Sequence, residues 1–258
     1  MINLIKNELI KIYAKSGFVL VILTIIVGIV MAPFSSEIME ANDGAFYVYN
    51  LAGSLPMINL FAIIVSSTIF NTEISSSTIK FLLLRPHSRT SIILSKMMAV
   101  FANSIILSIC LFLSTVIASF IFFEENSLLT SFQAFSYNNA LFMALMSIIS
   151  NFLLIAFYIS LMFLLSVLFK SQMITSIVGY ICIFSSMLVN VLTLEIFENH
   201  SLVQWNPFNL LNFRESFIGA DVIHVGNLSP VQMGLGLVAY IVVMFLATNN
   251  KFRKLDIE

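Results

Sequence analysis

Long apolar runs alternate with short polar stretches along the whole of this 258-residue sequence. Six of the runs approach or exceed the ~20 residues that an α-helix needs to cross the hydrocarbon core of a bilayer. The stretches between them hold the charged residues. This pattern predicts an all-α membrane protein whose six transmembrane helices lie at about residues 17–34, 51–70, 97–123, 140–169, 173–194 and 231–248.

The first sixteen residues combine apolar positions at helical spacing with basic positions around the rest of the helix. Ile2, Ile5, Leu9 and Ile12 follow one face of such a helix. The lysines of the segment are Lys6, Lys11 and Lys15. This arrangement predicts an amphipathic helix that lies on the membrane surface before the first span. The alternative is a charged flank whose only role is to orient that span.

The segment 71–96 joins the second and third predicted spans and is polar and basic. Its first half contains no Gly or Pro, so the helix of the second span can continue into water. Pro86 disfavours helical geometry at Arg85 and predicts a break there. Ser88 or Thr90 can then cap the start of the third span. The alternative is a basic loop that only fixes the topology.

The connection 195–230 is long and unusually apolar for a loop. It contains Trp205, Phe208 and Phe213, punctuated by Pro207. Irregular backbone at membrane depth is tolerated only where protein or a wet cavity covers it. The pattern therefore predicts short outer helices between the fifth and sixth spans, either interfacial or re-entrant.

Composition and charge support this layout and orient it. Hydrophobic residues make up 59% of the chain and charged residues 10%, whereas soluble domains carry about 25% charged residues. With six spans, every Lys and Arg except Arg214 falls on the side of the two termini. The positive-inside rule then predicts a multi-pass plasma membrane protein with both termini in the cytoplasm. With no soluble domain visible, residues 1–258 form one membrane domain.

The sequence offers no catalytic group, and we expect the chain not to be an enzyme. The predicted span interiors contain no Asp, Glu, Lys or Arg, and no Walker, zinc-protease or nucleophile-elbow motif is present. The three histidines lack metal-ligand spacing, and a net charge of -1 gives no attraction to nucleic acid. We therefore expect no metal or cofactor in this chain and no nucleic-acid partner.

Polar side chains inside the predicted spans allow two interpretations. They could line a transport path, or they could hydrogen-bond between helices and hold a bundle together. The structural role is the more common one for such residues. The candidates for a path are Asn103, Ser108, Asn151 and Asn190.

An ordered set of residues in the segment 71–96 resembles the cytoplasmic loop of ABC-2-type permeases. The pattern is E-x4-T-x-K-x-LL-x-RP-x-SR-x6-K, which begins at Glu73 and ends at Lys96. Ser77 stands where the family often has Gly. The basic N-terminal helix, six spans and the apolar segment around Trp205 are also similar, so the resemblance covers essentially the whole chain.

This resemblance implies a permease that pairs with a second permease chain, either identical or related. Each chain would sit on a separate cytoplasmic ABC ATPase subunit that binds ATP and Mg. The segment 71–96 would supply a coupling helix that docks on that ATPase, aided by the N-terminal interface helix. The implied ATPase contacts are Glu73, Thr78, Lys80, Phe81, Arg85 and Arg89.

The size of the chain resembles the Gram-positive subset of these permeases that handles bacitracin, lantibiotics or phenol-soluble modulins. The implied function is export of amphipathic or antimicrobial peptides across the lipid bilayer. The alternative is a non-transporting membrane scaffold or sensor subunit that binds a cytoplasmic partner through residues 71–96. An intramembrane enzyme is disfavoured because catalytic groups are missing.

Overall fold

The computed structural model describes residues 1–38, 44–53, 56–75, 88–125, 128–129, 139–169, 171–192, 203–218 and 228–253. Side chains lie outside the description at 36–38, 52–53, 73–75, 186–192 and 218. Its helices, numbered in chain order, are α1 (Ile2–Ile12), α2 (Phe18–Ile38), α3 (Gly44–Gly53), α4 (Pro56–Ser75), α5 (Arg89–Phe122), α6 (Ala140–Phe169), α7 (Gln172–Leu192), α8 (Pro207–Leu210), α9 (Phe213–Ile218) and α10 (Pro230–Arg253). A π-helical turn, Tyr13–Gly17, joins α1 to α2, and a 3-10 turn, Val203–Trp205, precedes α8.

Five helical stretches of the described chain are long and apolar enough to cross a membrane: Ile2–Ser35, Gly44–Thr72, Arg89–Phe122, Ala140–Phe169 and Pro230–Arg253. They confirm the predicted helical architecture and its apolar helices of membrane-spanning length. The predicted span 173–194 corresponds to the 21-residue helix α7. Within its described side chains α7 offers a shorter apolar stretch, Gln172–Ser185. The six-span layout therefore stays a prediction.

Two helix boundaries differ from the predicted ones. α1 is continuous with α2 through the π-helical turn, and together they form a helical stretch of 34 residues, about 50 Å long at 1.5 Å per residue. The second apolar stretch begins at Gly44, within residues assigned to an outer connection. Its residues there are mostly apolar and aromatic. Tyr47, for example, stacks on Phe123 and donates a hydrogen bond to the Gly28 carbonyl.

The long helices α5 and α6 form the centre of the bundle. α2 packs along α5, and a Cβ atom on Gly28 would overlap the Ser114 hydroxyl there. Ser88 caps α5 by accepting a hydrogen bond from the Ser91 amide at 3.2 Å, as one of the two predicted caps. α6 contacts α3, α4, α9 and α10 and is the most deeply buried of the five candidate spans.

The segment 203–218 packs against one end of the bundle. α8 contacts α7 and α10, and α9 contacts α6 and α10. The Tyr240 hydroxyl donates to the Trp205 carbonyl at 3.2 Å. Leu210 is fully buried against Gly236 of α10. We call this region, residues 203–218 with the first turns of α10, the opposite end.

Candidate functional site: the basic end of the bundle

The end of the bundle farthest from residues 203–218 gathers almost all the described cationic side chains. It comprises α1, the end of α4, the start of α5 and the end of α10. We call this region the basic end, and its cations are Lys6, Lys11, Lys15, Arg89, Lys96, Lys251 and Arg253. Among the described cations only Arg214 lies at the opposite end.

The predicted ATPase-contact residues lie mostly beyond what the structure describes. Glu73 is in the last turn of α4, but its side chain is outside the description. Thr78, Lys80, Phe81 and Arg85 fall between the described ranges 56–75 and 88–125. The roles of these residues stay predictions. The structure does show how α4 and α5, the helices on either side of residues 76–87, are attached to the rest of the bundle.

A buried ion pair attaches α1 to α5. The Lys96 ammonium lies 2.8 Å from the Glu8 carboxylate, and the two residues are 1% and 5% exposed. The other oxygen of Glu8 accepts a hydrogen bond from Lys11 at 2.8 Å. Two cations therefore satisfy one carboxylate, which offsets part of the cost of burying it.

Sequence reasoning missed this pair. In the sequence, Lys96 only closes the motif of the segment 71–96, and Glu8 belongs to no motif. A signal was present, since Glu8 lies between Ile5 and Ile12 on the apolar face of the first helix. A carboxylate in that position predicts a cationic partner on the surface that the face covers.

Arg89 connects the start of α5 to the end of α10. Its guanidinium donates to the carbonyls of Phe252 at 3.2 Å and Arg253 at 2.8 Å. The Thr90 hydroxyl donates to the Asn249 side chain at 2.9 Å, one turn earlier in α10. A cation at a helix C-terminus satisfies carbonyls that have no partner within the helix and interacts favourably with the helix dipole.

A network of hydroxyl and amide groups connects the end of α4 to α6 and α7. The Asn71 amide donates to the Ser166 hydroxyl at 3.0 Å and to the Thr175 hydroxyl at 3.4 Å. The hydroxyls of Ser67 and Ser176 lie 2.7 Å apart. Both helices that flank residues 76–87 are thus attached to other helices, α4 by this network and α5 by Glu8 and Arg89.

The predicted path-lining residues are buried where their side chains are described. Asn151 and Asn59 exchange reciprocal amide hydrogen bonds of 3.1 and 3.2 Å between α6 and α4. Ser108 donates to the Ser104 carbonyl within α5. Asn103 is 0% exposed, and neither polar atom of its side chain has a partner in the described part of the chain. The side chain of Asn190 is outside the description.

At the basic end, side-chain contacts attach α5 to α1 and α10, and α4 to α6 and α7. Within the described residues no group of three His, Cys, Asp or Glu side chains could hold a metal ion. No curated protein matches the chain. Residues 18–258 match the family model described as "Protein of unknown function (DUF2705)". Because the match covers all but the first 17 residues, the chain belongs to the DUF2705 family.

Proposed function

We propose that this chain is the membrane permease of an ABC transporter, driven by a separate cytoplasmic ATPase that docks at the basic end. The observation that carries the proposal is the attachment of both helices that flank residues 76–87. α5 is bound to α1 through Lys96 and Glu8 and to α10 through Arg89. A displacement of α5 at this end would therefore be passed to α1 and α10, and a displacement of α4 to α6 and α7.

The charge distribution supports the orientation within this proposal. Cytoplasmic segments of membrane proteins retain Lys and Arg, so the basic end would face the cytoplasm and both termini would lie there. The membrane would be the plasma membrane. ATP and Mg would bind to the ATPase subunit, since the sequence lacks a nucleotide-binding motif of its own.

The proposed cargo is an amphipathic or antimicrobial peptide, carried between two permease chains. The large apolar side chains exposed on α2 and α5 support a membrane-embedded surface that lipid or a second chain can cover. Phe18, Phe34, Ile117 and Phe120 are among them, each more than half exposed. The proposal that the cargo is a peptide is supported by the resemblance of the sequence to the permeases that handle peptides.

The test is ATP hydrolysis by the complex with its ATPase. The full chain is purified with that subunit and reconstituted in lipid, and Mg-ATP turnover is measured with and without bacitracin or an amphipathic helical peptide. Peptide should stimulate turnover. Reversing charge with Lys80→Glu and Arg85→Glu should reduce turnover to the basal rate, because both residues lie in the proposed docking segment.

The matched control is Lys251→Glu, which reverses an exposed charge at the basic end but outside the docking segment. Arg89 is a poor choice for this test because its loss also disturbs the end of α10. Unchanged stimulation in the Lys80 and Arg85 double variant would contradict the docking role. A stable ATPase complex that moves no peptide would instead favour the scaffold or sensor function.

A further inference from the structure

A pocket at the basic end separates the N-terminal helical stretch from α4. Its volume is about 70 Å³, which accommodates several water molecules or one group of a few heavy atoms. Lys11, Lys15 and Ser16 line one side, and Thr68 lines the other. The pocket therefore has a basic and hydroxyl-bearing wall beside the start of the first candidate span.

Two hydrogen-bond donors in this pocket have no partner in the structure. The Lys15 ammonium and the Ser16 hydroxyl make no hydrogen bond or ion pair with any residue of the described chain. The Thr68 hydroxyl, in contrast, already donates to the Ile64 carbonyl and accepts from Gln172. Both unused donors belong to the π-helical turn. Such turns occur frequently at functional sites.

Apart from Thr72, whose hydroxyl donates to the Thr68 carbonyl, the rest of the pocket lining is apolar, and the next residues along the chain are exposed and apolar. Ile12, Val65 and Ile69 line it and are at most 8% exposed. The next residues along the chain, Phe18 and Val19, are 66% and 57% exposed. A ligand here would place an anionic group against Lys15 and Ser16 and an apolar body along the adjoining helix surface. Soluble anions such as inorganic phosphate lack such an apolar body.

We infer that this pocket binds the headgroup of an anionic phospholipid, with the phosphate against Lys15 and Ser16. Lys11 adds positive charge at the rim, although it also donates to Glu8. Basic residues at a membrane surface attract anionic lipid headgroups, and a lysine binds phosphate as a point charge. The inference is independent of the proposed transport function, because it requires only that the chain sits in a bilayer.

The test compares lipids that differ only in the headgroup. The purified full chain in neutral detergent is titrated with phosphatidylglycerol and with phosphatidylcholine of the same acyl chains, and binding is followed by the rise in melting temperature, since a ligand that binds the folded state stabilises it. Inorganic phosphate is titrated separately. Phosphatidylglycerol should stabilise the protein at lower concentrations than phosphatidylcholine, and phosphate alone should have little effect.

Three variants locate the binding. Lys15→Gln should weaken phosphatidylglycerol binding about five-fold, the effect expected of one lysine at a membrane surface. Lys6→Gln removes the same charge from an exposed position of α1 that does not line the pocket, and it should leave binding unchanged. Ser16→Leu keeps the charge but fills the pocket, and it should also weaken binding.

The outcomes separate a built pocket from general attraction. Equal losses in Lys15→Gln and Lys6→Gln would mean that the basic end attracts anionic lipid diffusely, and the inference would fail. Equal stabilisation by the two lipids would contradict it as well. Saturation by inorganic phosphate at the same site would show a soluble anion in place of a lipid headgroup.

Discussion

The two ends of the bundle each contain an ion pair, but one pair connects two helices and the other lies within a single helix. At the basic end, Glu8 and Lys96 lie 88 positions apart in the sequence and are buried together between α1 and α5. At the opposite end, Arg214 and Glu215 are adjacent in α9, 2.7 Å apart, with side chains 16% and 29% exposed. The first pair joins two helices, whereas the second lies within one.

This difference indicates how each end is held. The basic end relies on charge, since Glu8, Lys96 and Arg89 each bridge between helices. The opposite end relies on close apolar packing, since Leu210 and Trp205 lie directly against Gly236 of α10. We therefore expect the basic end to be sensitive to changes of charge and the opposite end to changes of volume. Four substitutions, taken from the largest expected effect to the smallest, test this contrast.

Glu8→Gln should have the largest effect. It leaves the Lys96 ammonium buried without a counter-charge, and breaking a buried pair in this way costs about 3 kcal/mol or more of unfolding free energy. Denaturant titration in mixed micelles measures the loss. Adding Lys96→Met removes the unpaired charge and should recover most of the stability. If the double variant were no more stable than Glu8→Gln alone, the unpaired Lys96 charge would not be the cause of the loss of stability.

Gly236→Val should follow, with a loss of about 2 kcal/mol from overpacking. A Cβ atom on Gly236 would lie 2.8 Å from the Leu210 side chain and 3.3 Å from the Trp205 ring. The same titration measures the loss. Ala239→Val adds a β-branched side chain at an exposed position of the same helix and serves as the control. Equal effects of the two changes would mean that α8 is loosely packed on α10.

Arg89→Gln should cost about 1 kcal/mol, the usual size of a cation effect at a helix C-terminus. The last turn of α10 loses the donor to its carbonyls. Its amide hydrogens should therefore exchange with solvent faster than in the unsubstituted protein, whereas exchange in the middle of the helix should not change. Hydrogen exchange followed by mass spectrometry measures this. Lys251→Gln, which removes an exposed cation from the same turn, should leave the exchange unchanged.

Glu215→Gln should have the smallest effect, below about 1 kcal/mol, as for other solvent-accessible pairs. It is the same isosteric change as Glu8→Gln, so the two unfolding titrations compare the ends directly. A loss at Glu215 as large as the loss at Glu8 would remove the contrast between charge at one end and packing at the other.

Local patterns were enough to predict the class of this protein. Apolar runs of membrane-spanning length, the helical spacing of the first residues and the cap at Ser88 each depend on neighbours in sequence, and the structure contains all three features. The continuity of α1 with α2 was missed because a π-helical turn has no clear sequence signature. The start of α3 was missed because residues 44–50 follow an acidic stretch.

The contacts of the candidate site depend on residues far apart in the chain, which periodicity cannot pair. Glu8 with Lys96 and Asn59 with Asn151 are separated by 88 and 92 positions. For Asn151 the sequence allowed two roles, lining a transport path or holding the bundle together. Its reciprocal hydrogen bonds with Asn59 hold α4 and α6 together. The proposed docking residues from Thr78 to Arg85 lie outside the described chain, so their function stays a prediction.

The π-helical turn at Tyr13–Gly17 also determines the angular phase between α1 and α2. Relative to a regular α-helix, a π-helical turn accommodates one additional residue, and each residue corresponds to a rotation of about 100°. Removing one residue from this turn would therefore rotate Glu8 about a quarter of a circle away from Lys96. The turn thus acts as a rotational spacer, which allows the face of α2 that packs on α5 and the face of α1 that carries Glu8 to meet the same neighbouring helix.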